Sequence, residues 1–215
     1  LLMKARADDR RLLNDVENPP KLNVLSLQDS KGLKLEDLAT PLAAYGVQRA
    51  TICALIEAFE HAKTFGSLIQ ISYQLKTQLP PLAQVLAMVA EQGDLYAQQA
   101  AKDLIPLVQQ AQLLAMQFDA VVANPPYMGN KAMNSLLKDF AGRNFPDSRT
   151  DLFAMFIEKG LASCKPSGKC NMITMDSWMF SPAYMEFREK ILNETYISSL
   201  AHFGSRAFDS ISGEV

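Results

Sequence analysis

Residues 118–127 read Phe-Asp-Ala-Val-Val-Ala-Asn-Pro-Pro-Tyr, and no other stretch restricts the chain so tightly. Val121 and Val122 favour a pleated strand, where β-branched side chains pack well. Pro125 and Pro126 then remove backbone N–H donors and fix φ, so ladder pairing has to stop there. Asn124 precedes a proline and is pushed into extended backbone. The sequence thus predicts a strand ending in a rigid tip that carries one side-chain amide, carbonyls without competing N–H groups, and one aromatic ring. In an open α/β sheet the carboxyl ends of the strands face the ligand. This tip is the first candidate for a functional site.

The rest of the composition narrows the class. A chain of 215 residues has room for one domain or slightly more and can bury a sizeable core. Hydrophobic residues at 48% and charged residues at 20% are globular proportions, not those of a disordered chain. A net charge of −2 excludes a globally basic nucleic-acid surface, so any phosphate contact is local or comes from elsewhere. The three cysteines, Cys53, Cys164 and Cys170, are odd in number and form no Cys-x-x-Cys, and His61 and His202 stand far apart. This pattern predicts reduced thiols, a cytoplasmic location and no zinc site. No apolar run reaches the length of a membrane span and no signal peptide opens the chain. Leu1, Leu2, Ala5 and Leu12 fall on a helical stripe already under way, and Ser212–Val215 ends without a cap. The expectation is an internal fragment of a longer chain.

Taken in order, residues 1–14 read as the later part of a helix with a solvated face of alternating charge, stopped at Asn18-Pro19-Pro20. Leu22–Leu27 alternates apolar and polar and reads as a strand. Gln28 and Asp29 stand at its carboxyl end, as ligand contacts or as a polar turn cap. Residues 35–117 read as a helical insertion, with one helix over 42–65 stopped by Gly66, a short ambiguous run at 68–73, and two more helices over 81–92 and 94–117, the last kinked at Pro106. Beyond the opening stretch, Met128-Gly129-Asn130 reads as a flexible exit and 131–140 as a short helix. Lys131, Lys138, Arg143 and Arg149 there form either a place to meet phosphates or a solvated loop. Residues 151–161 form an amphipathic helix with Asp151 at its start. A Pro-Gly turn at 165–169, a strand over 170–175, a helix opened by Pro182 and a strand over 196–203 complete the chain.

Asn124-Pro125-Pro126-Tyr127 after an apolar strand closely resembles the catalytic motif of amino methyltransferases that use S-adenosyl-L-methionine, chiefly the N6-adenine DNA enzymes. Further blocks narrow the likeness: Asp-Leu-Phe-Ala-Met-Phe-Ile-Glu at 151–158, Met-Ile-Thr-Met-Asp-Ser-Trp-Met-Phe at 172–180 and Ser-Ser-Leu-Ala-His-Phe-Gly-Ser-Arg-Ala-Phe-Asp at 198–209. With them the chain resembles the PglX family of adenine methyltransferases from BREX-type phage-defence systems. The resemblance implies an α/β fold, a partial Rossmann-like class I methyltransferase sheet with a helical insertion, residues 118–215 being its second half.

The resemblance also implies roles. Asn124 and the carbonyl of Pro125 would each accept an N–H bond from the target amine, with Pro126 keeping that carbonyl rigid, so that positioning precedes substrate. A base inside a duplex would have to be flipped out, and Tyr127 would stack on it. Trp178, or Phe180, would line the same pocket or pack in the core. Asp29, with Gln28 close behind, would bind the cofactor's adenine amino group. Phe153 would pack on the cofactor's adenine or lie in the core. Lys131, by its charge and not by the resemblance, is the candidate phosphate contact. The implied partners are double-stranded DNA with a flipped adenine and other phage-defence proteins, with no membrane.

No glycine-rich loop after a first strand and no acidic residue after a second strand are present to hold the cofactor's methionine end and ribose. Both are expected upstream of residue 1, and a target-recognition region beyond Val215. On that reading this piece neither binds cofactor nor catalyses alone. Two alternatives share the sequence: methylation of RNA bases or of a protein glutamine amide, and a non-catalytic interaction domain whose surface is the helical insertion.

Overall fold

The computed structural model describes residues 23–204. The helix expected at 1–14, its stop at Asn18-Pro19-Pro20 and the block at 205–209 lie outside the described residues. The first part is helical: α1 (Leu35–Ala43), α2 (Arg49–Phe59), α3 (Ala62–Phe65), α4 (Tyr73–Gln92) and α5 (Leu95–Leu114). Leu42, Ile52, Leu55, Phe59, Leu86, Val89 and Leu104 are almost wholly excluded from solvent and form its centre. Asp94 caps α5, its Oδ1 accepting the Tyr96 and Ala97 N–H groups at 3.0 Å.

Two helix expectations need correction. The stretch 42–65 is three helices, not one: Gly46 takes a left-handed φ of +77° between α1 and α2, and His61, at φ −127°, breaks α2 from α3. Helix α4 begins at Tyr73, not at Pro81. Ser72 Oγ caps it by accepting the Leu75 N–H at 3.2 Å, and Leu75, Leu79, Leu82, Leu86 and Val89 form one buried stripe through Pro80 and Pro81. Burial of that stripe offsets the bonds that the prolines forfeit.

The strand expected over 22–27 is absent from the described part, since residues 23–30 form no strand and Val24 is 85% exposed. Alternation gives a segment two faces but not a neighbour to pair with. Here the helices satisfy the backbone instead. Gln28 N–H donates to Gln110 Oε1 and Gln110 Nε2 donates to the Gln28 carbonyl, both at 2.9 Å. Ser30 N–H donates to the Phe59 carbonyl at 2.9 Å, and Ser30 Oγ to that of Ile56 at 2.6 Å.

The sheet of the described residues has two parallel strands, β1 (Phe118–Ala123) and β2 (Cys164–Met172). Ala120 to Ala123 pair in register with Lys169 to Met172, and Ile173 N–H extends the ladder to the Ala123 carbonyl at 3.2 Å. Phe118 pairs with Cys164, so the expected turn at 165–169 survives as an excursion within β2, opposite Asp119. Gly168 allows it: a Cβ there would lie 2.9 Å from the Lys165 carbonyl and 3.0 Å from that of Phe118.

Between the strands run α6 (Ser135–Asn144) and α7 (Leu152–Ala162). After them come α8 (Ser177–Phe180) and α9 (Met185–Glu194). Helix α7 is the hub. Leu152 and Met155 pack with Phe140 and Phe145. Phe153 and Ala154 pack with Tyr184, Phe187 and Ile191. Gly160 lies on the sheet, where a Cβ would come within 3.0 Å of Cys170 Sγ and 3.6 Å of Val121 Cγ1. The single apolar stripe read from the sequence is therefore too narrow, because α7 is covered on several sides. The strand expected at 196–203 is also absent. Tyr196, Leu200 and Phe203 are 89%, 56% and 60% exposed, and no ladder forms along them.

Candidate active site

Strand β1 stops where the prolines require. Asn124 and Pro126 are exposed, Pro125 is buried and Tyr127 is half-buried. Among the described residues no hydrogen bond engages the Asn124 amide or the carbonyls of Pro125 and Pro126. Among the described residues, then, neither the Asn124 side-chain oxygen nor the Pro125 carbonyl has a donor.

Tyr127 is fixed from two sides. Its Oη donates to the Ile173 carbonyl at 3.1 Å, at the end of β2. Its ring meets Phe153 edge-on, centroids 6.2 Å apart at 89°. Burial pushes the phenol above its ordinary pKa, which keeps the proton that the hydrogen bond uses.

The exit from the motif is bound, not flexible. Met128 N–H donates to Asp151 Oδ1 at 3.0 Å. Leu152 N–H donates to the Met128 carbonyl at 3.1 Å, and Asn130 N–H to that of Thr150 at 2.9 Å. Gly129 and Asp151 form an antiparallel bridge. The same Asp151 Oδ1 accepts the Phe153 N–H at 3.2 Å, the helix-capping bond read from sequence. The bond to Met128 could not be read there, because it joins segments 23 residues apart.

The loop before α7 is anchored by groups the sequence did not single out. Ser148, fully buried, donates from Oγ to Glu158 Oε2 at 2.7 Å, and Lys190 Nζ donates to Glu158 Oε1 at 2.8 Å. The Glu158 hydrogen bond, with Asp147 at 3.6 Å, raises the Lys190 ammonium above its ordinary range. Lys159 Nζ reaches the Ile69 carbonyl at 3.0 Å, and burial lowers its pKa. The one sequence clue was charge inside an apolar helix, since Glu158 and Lys159 both need partners there.

Of the other expected site residues, Phe153 and Trp178 lie in the same cluster as Tyr127. Phe153 is 1% exposed, so its ring faces protein and holds Tyr127. Trp178 is half-buried, edge-on to Phe187 at 6.3 Å. Its carbonyl and that of Ser181 accept from Arg188 Nη1 at 2.8 and 2.6 Å. Phe180 points outward, 73% exposed. Lys131 is exposed in the 3-10 turn Asn130–Ala132, directly after the motif. Gln28 and Asp29 are not brought to the motif by any bond they make. Gln28 is bonded to Gln110, and Asp29 Oδ1 accepts the Lys63 N–H at 2.9 Å; both partners belong to the helical part.

A cleft of about 940 Å³ runs along the outer edge of β2 and is walled opposite by residues 194–203. The motif does not line it. The two meet at Ile173, which lines the cleft and accepts the Tyr127 hydroxyl. Its long wall is β2, which among the described residues is paired on one side only, by β1.

The family model described as Eco57I restriction-modification methylase matches residues 32–208. Over its whole length the chain is 40% identical to the adenine-specific methyltransferase BrxX of Escherichia coli O9:H4 (strain HS), covering 19% of that protein. It is 30% identical to the adenine-specific methyltransferase PglX of Lacticaseibacillus casei (strain Zhang), covering 18%. Across 41% of the chain it is 31% identical to the type II restriction enzyme and methyltransferase RM.Eco57I of Escherichia coli. It thus spans about a fifth of the length of the first two relatives. These relatives bear out the resemblance drawn from the motif blocks, and the helices with a small parallel sheet agree with an α/β methyltransferase. The chain belongs to the Eco57I restriction-modification methylase family.

Proposed function

We propose that this chain carries the amine-holding half of the active site of an adenine-specific DNA methyltransferase acting in phage defence. The observation that supports this most is the pair of unengaged acceptors at the end of β1, the Asn124 side-chain oxygen and the Pro125 carbonyl, on backbone fixed by two prolines. Two acceptors on one rigid tip suit a nitrogen with two N–H bonds, such as the exocyclic amine of a base. Accepting both N–H bonds holds the nitrogen and draws its lone pair away from the base, where delocalisation would keep it unreactive. Because the tip is set before substrate arrives, little reorganisation remains for the reaction. Tyr127, held at its hydroxyl and its edge, offers a ring to a base taken out of the duplex. Trp178 would close the same pocket, and exposed Lys131 would meet a phosphate beside it.

The family implies S-adenosyl-L-methionine as donor, which supplies an electrophilic methyl group and demands no strong base. Of the residues expected to hold it, Asp29 Oδ1 accepts the Lys63 N–H, Gln28 is tied to Gln110 through its backbone, and Phe153 is buried against Tyr127. We therefore assign no cofactor contact to this chain and take that half of the site to lie elsewhere in a larger Rossmann-like sheet, with residues 35–117 as an insertion in it. A cytoplasmic location fits the substrate, and no described helix is long and apolar enough to cross a membrane.

The test is methyl transfer by the full-length protein to plasmid DNA, read as N6-methyladenine. Asn124→Ala is expected to reduce it by about 100-fold or more, on the scale of losing one positioned acceptor, with DNA affinity little changed. Unchanged methylation would overturn the assignment of Asn124, and transfer confined to RNA or to a protein amide would overturn the DNA reading.

A further inference from the structure

Asp151 is 8% exposed and stands between two elements that the proposed chemistry needs in register. One oxygen, Oδ1, accepts the Met128 N–H at 3.0 Å and the Phe153 N–H at 3.2 Å. Met128 is the first residue after the Asn-Pro-Pro-Tyr tip. Phe153 is the ring against which Tyr127 rests. The carboxylate thus ties the far end of the tip to the helix that backs the tip's aromatic residue. Its surroundings make it a fixed point. The Gly129–Asp151 bridge holds its backbone, the Met128 carbonyl takes the next N–H, from Leu152, at 3.1 Å, and buried Ser148 secures the approaching loop on Glu158.

A helix cap alone needs none of the contacts to 128–130. A carboxylate in a nearly dry place accepts N–H bonds more strongly than a neutral oxygen, and an amide N–H left there without a partner would pull the loop out of place. The prolines fix the tip's own dihedrals but not its direction, which is set by where the chain is caught on leaving. Asn124 and the Pro125 carbonyl can address one amine only if that direction is constant.

We propose that Asp151 is the positioning residue of the motif: by holding Met128 and the start of the Phe153 helix on one oxygen, it aims the Asn124–Tyr127 tip. This rests on the proposed methyltransferase reading. Three variants of the full-length protein separate its two bonds. Asp151→Asn keeps an oxygen of the same reach for both partners. Asp151→Ser keeps a helix cap, but its hydroxyl sits one bond nearer the backbone and gives up Met128. Asp151→Ala loses both.

With saturating DNA and S-adenosyl-L-methionine, Asp151→Asn is expected within about 3-fold of the parent kcat. Asp151→Ser should fall by about 10- to 100-fold, the scale of a misplaced reacting group, with unchanged KM for DNA, unchanged cofactor Kd and a melting temperature close to that of Asp151→Asn. In hydrogen exchange the Met128 amide should lose protection in Asp151→Ser while that of Phe153 keeps it. Equal kcat for the Ser and Asn variants would overturn the proposal, because the cap alone would then suffice. A loss confined to KM or cofactor Kd would overturn it too, as would an Asp151→Ser protein that no longer folds, since the carboxylate would then be a folding requirement. A parent protein that methylates no DNA is a separate failure, of the function itself.

Discussion

Gln110 shows how much one side chain can carry. It is 1% exposed and holds both backbone groups of Gln28, replacing the ladder that residues 23–30 lack. Gln110→Leu keeps the bulk and strands a donor and an acceptor. The expected loss is about 1–3 kcal/mol, measured by urea denaturation of the full-length protein. A second residue-scale effect is set by pH. Burial, with Cys164 alongside, pushes the Cys170 thiol up to about 11, from an ordinary 9.0. Burial, and then Asp151, pushes the Tyr184 hydroxyl up to about 12, from 10.0. Both groups are neutral acids that ionise more readily unfolded. Their contribution to stability is therefore whole below about pH 9 and declines as pH rises through 9–11 for the thiol and 10–12 for the phenol. Melting temperature should fall from pH 9 upward, and Cys170→Ala should flatten the first part of that fall.

At the scale of elements, the contact between α7 and the sheet depends on having no side chain at Gly160. A Cβ there approaches Cys170 Sγ to 3.0 Å and overlaps the Met172 terminal methyl. Met172 is flexible and can give way, but a branched group adds more than it can absorb. Gly160→Val is expected to cost about 1–3 kcal/mol, seen as a lower denaturant midpoint with an unchanged slope. Sequence reading served this scale unevenly. The Asn-Pro-Pro-Tyr stop, the Asp151 cap and the strand before the motif were legible because each is written in adjacent residues: proline removes a donor, aspartate caps the next turn, valine prefers the pleat. The strands expected at 22–27 and 196–203 failed for the converse reason. Alternation describes one segment, whereas a strand needs a partner, and Gln110 or open solvent took that place. Pro80 and Pro81 misled similarly, since local chemistry argued for a helix start while the leucine stripe across them argued for continuity.

For the whole molecule, the helical part meets the part that carries the motif through Phe65 and buried Leu68, which join the cluster around Phe140 and Phe145. Phe65, the last residue of α3, stacks on Phe140 of α6 at 4.0 Å and 14°, and Phe140 in turn neighbours Phe145. Lys159 adds one long-range bond to Ile69. Phe140→Ala is expected to cost about 3–5 kcal/mol. It should also loosen the coupling, so that hydrogen exchange in α4 and α5 stays slow where exchange in β1 and α7 quickens. Equal acceleration throughout would show that the two parts are held together by something else. The candidate site was only half legible at this scale. The rigid Asn124–Tyr127 tip could be read from four letters, but the bonds of Tyr127 to Ile173 and of Met128 to Asp151 join it to segments distant in sequence.

One property of β2 matters for anyone handling the protein. Along the cleft its backbone runs from Cys164 to Met172 with β1 on one side and no ladder on the other among the described residues. Such an edge is a template for any extended chain, including a second copy of itself. Lys165 and Lys169, both exposed, act as gatekeepers near its first half, whereas Cys170 to Ile173 carries no charge. Self-association of these 215 residues taken alone should therefore begin at that uncharged end, and light scattering at rising concentration would be reduced by Asn171→Lys, which adds a charge there.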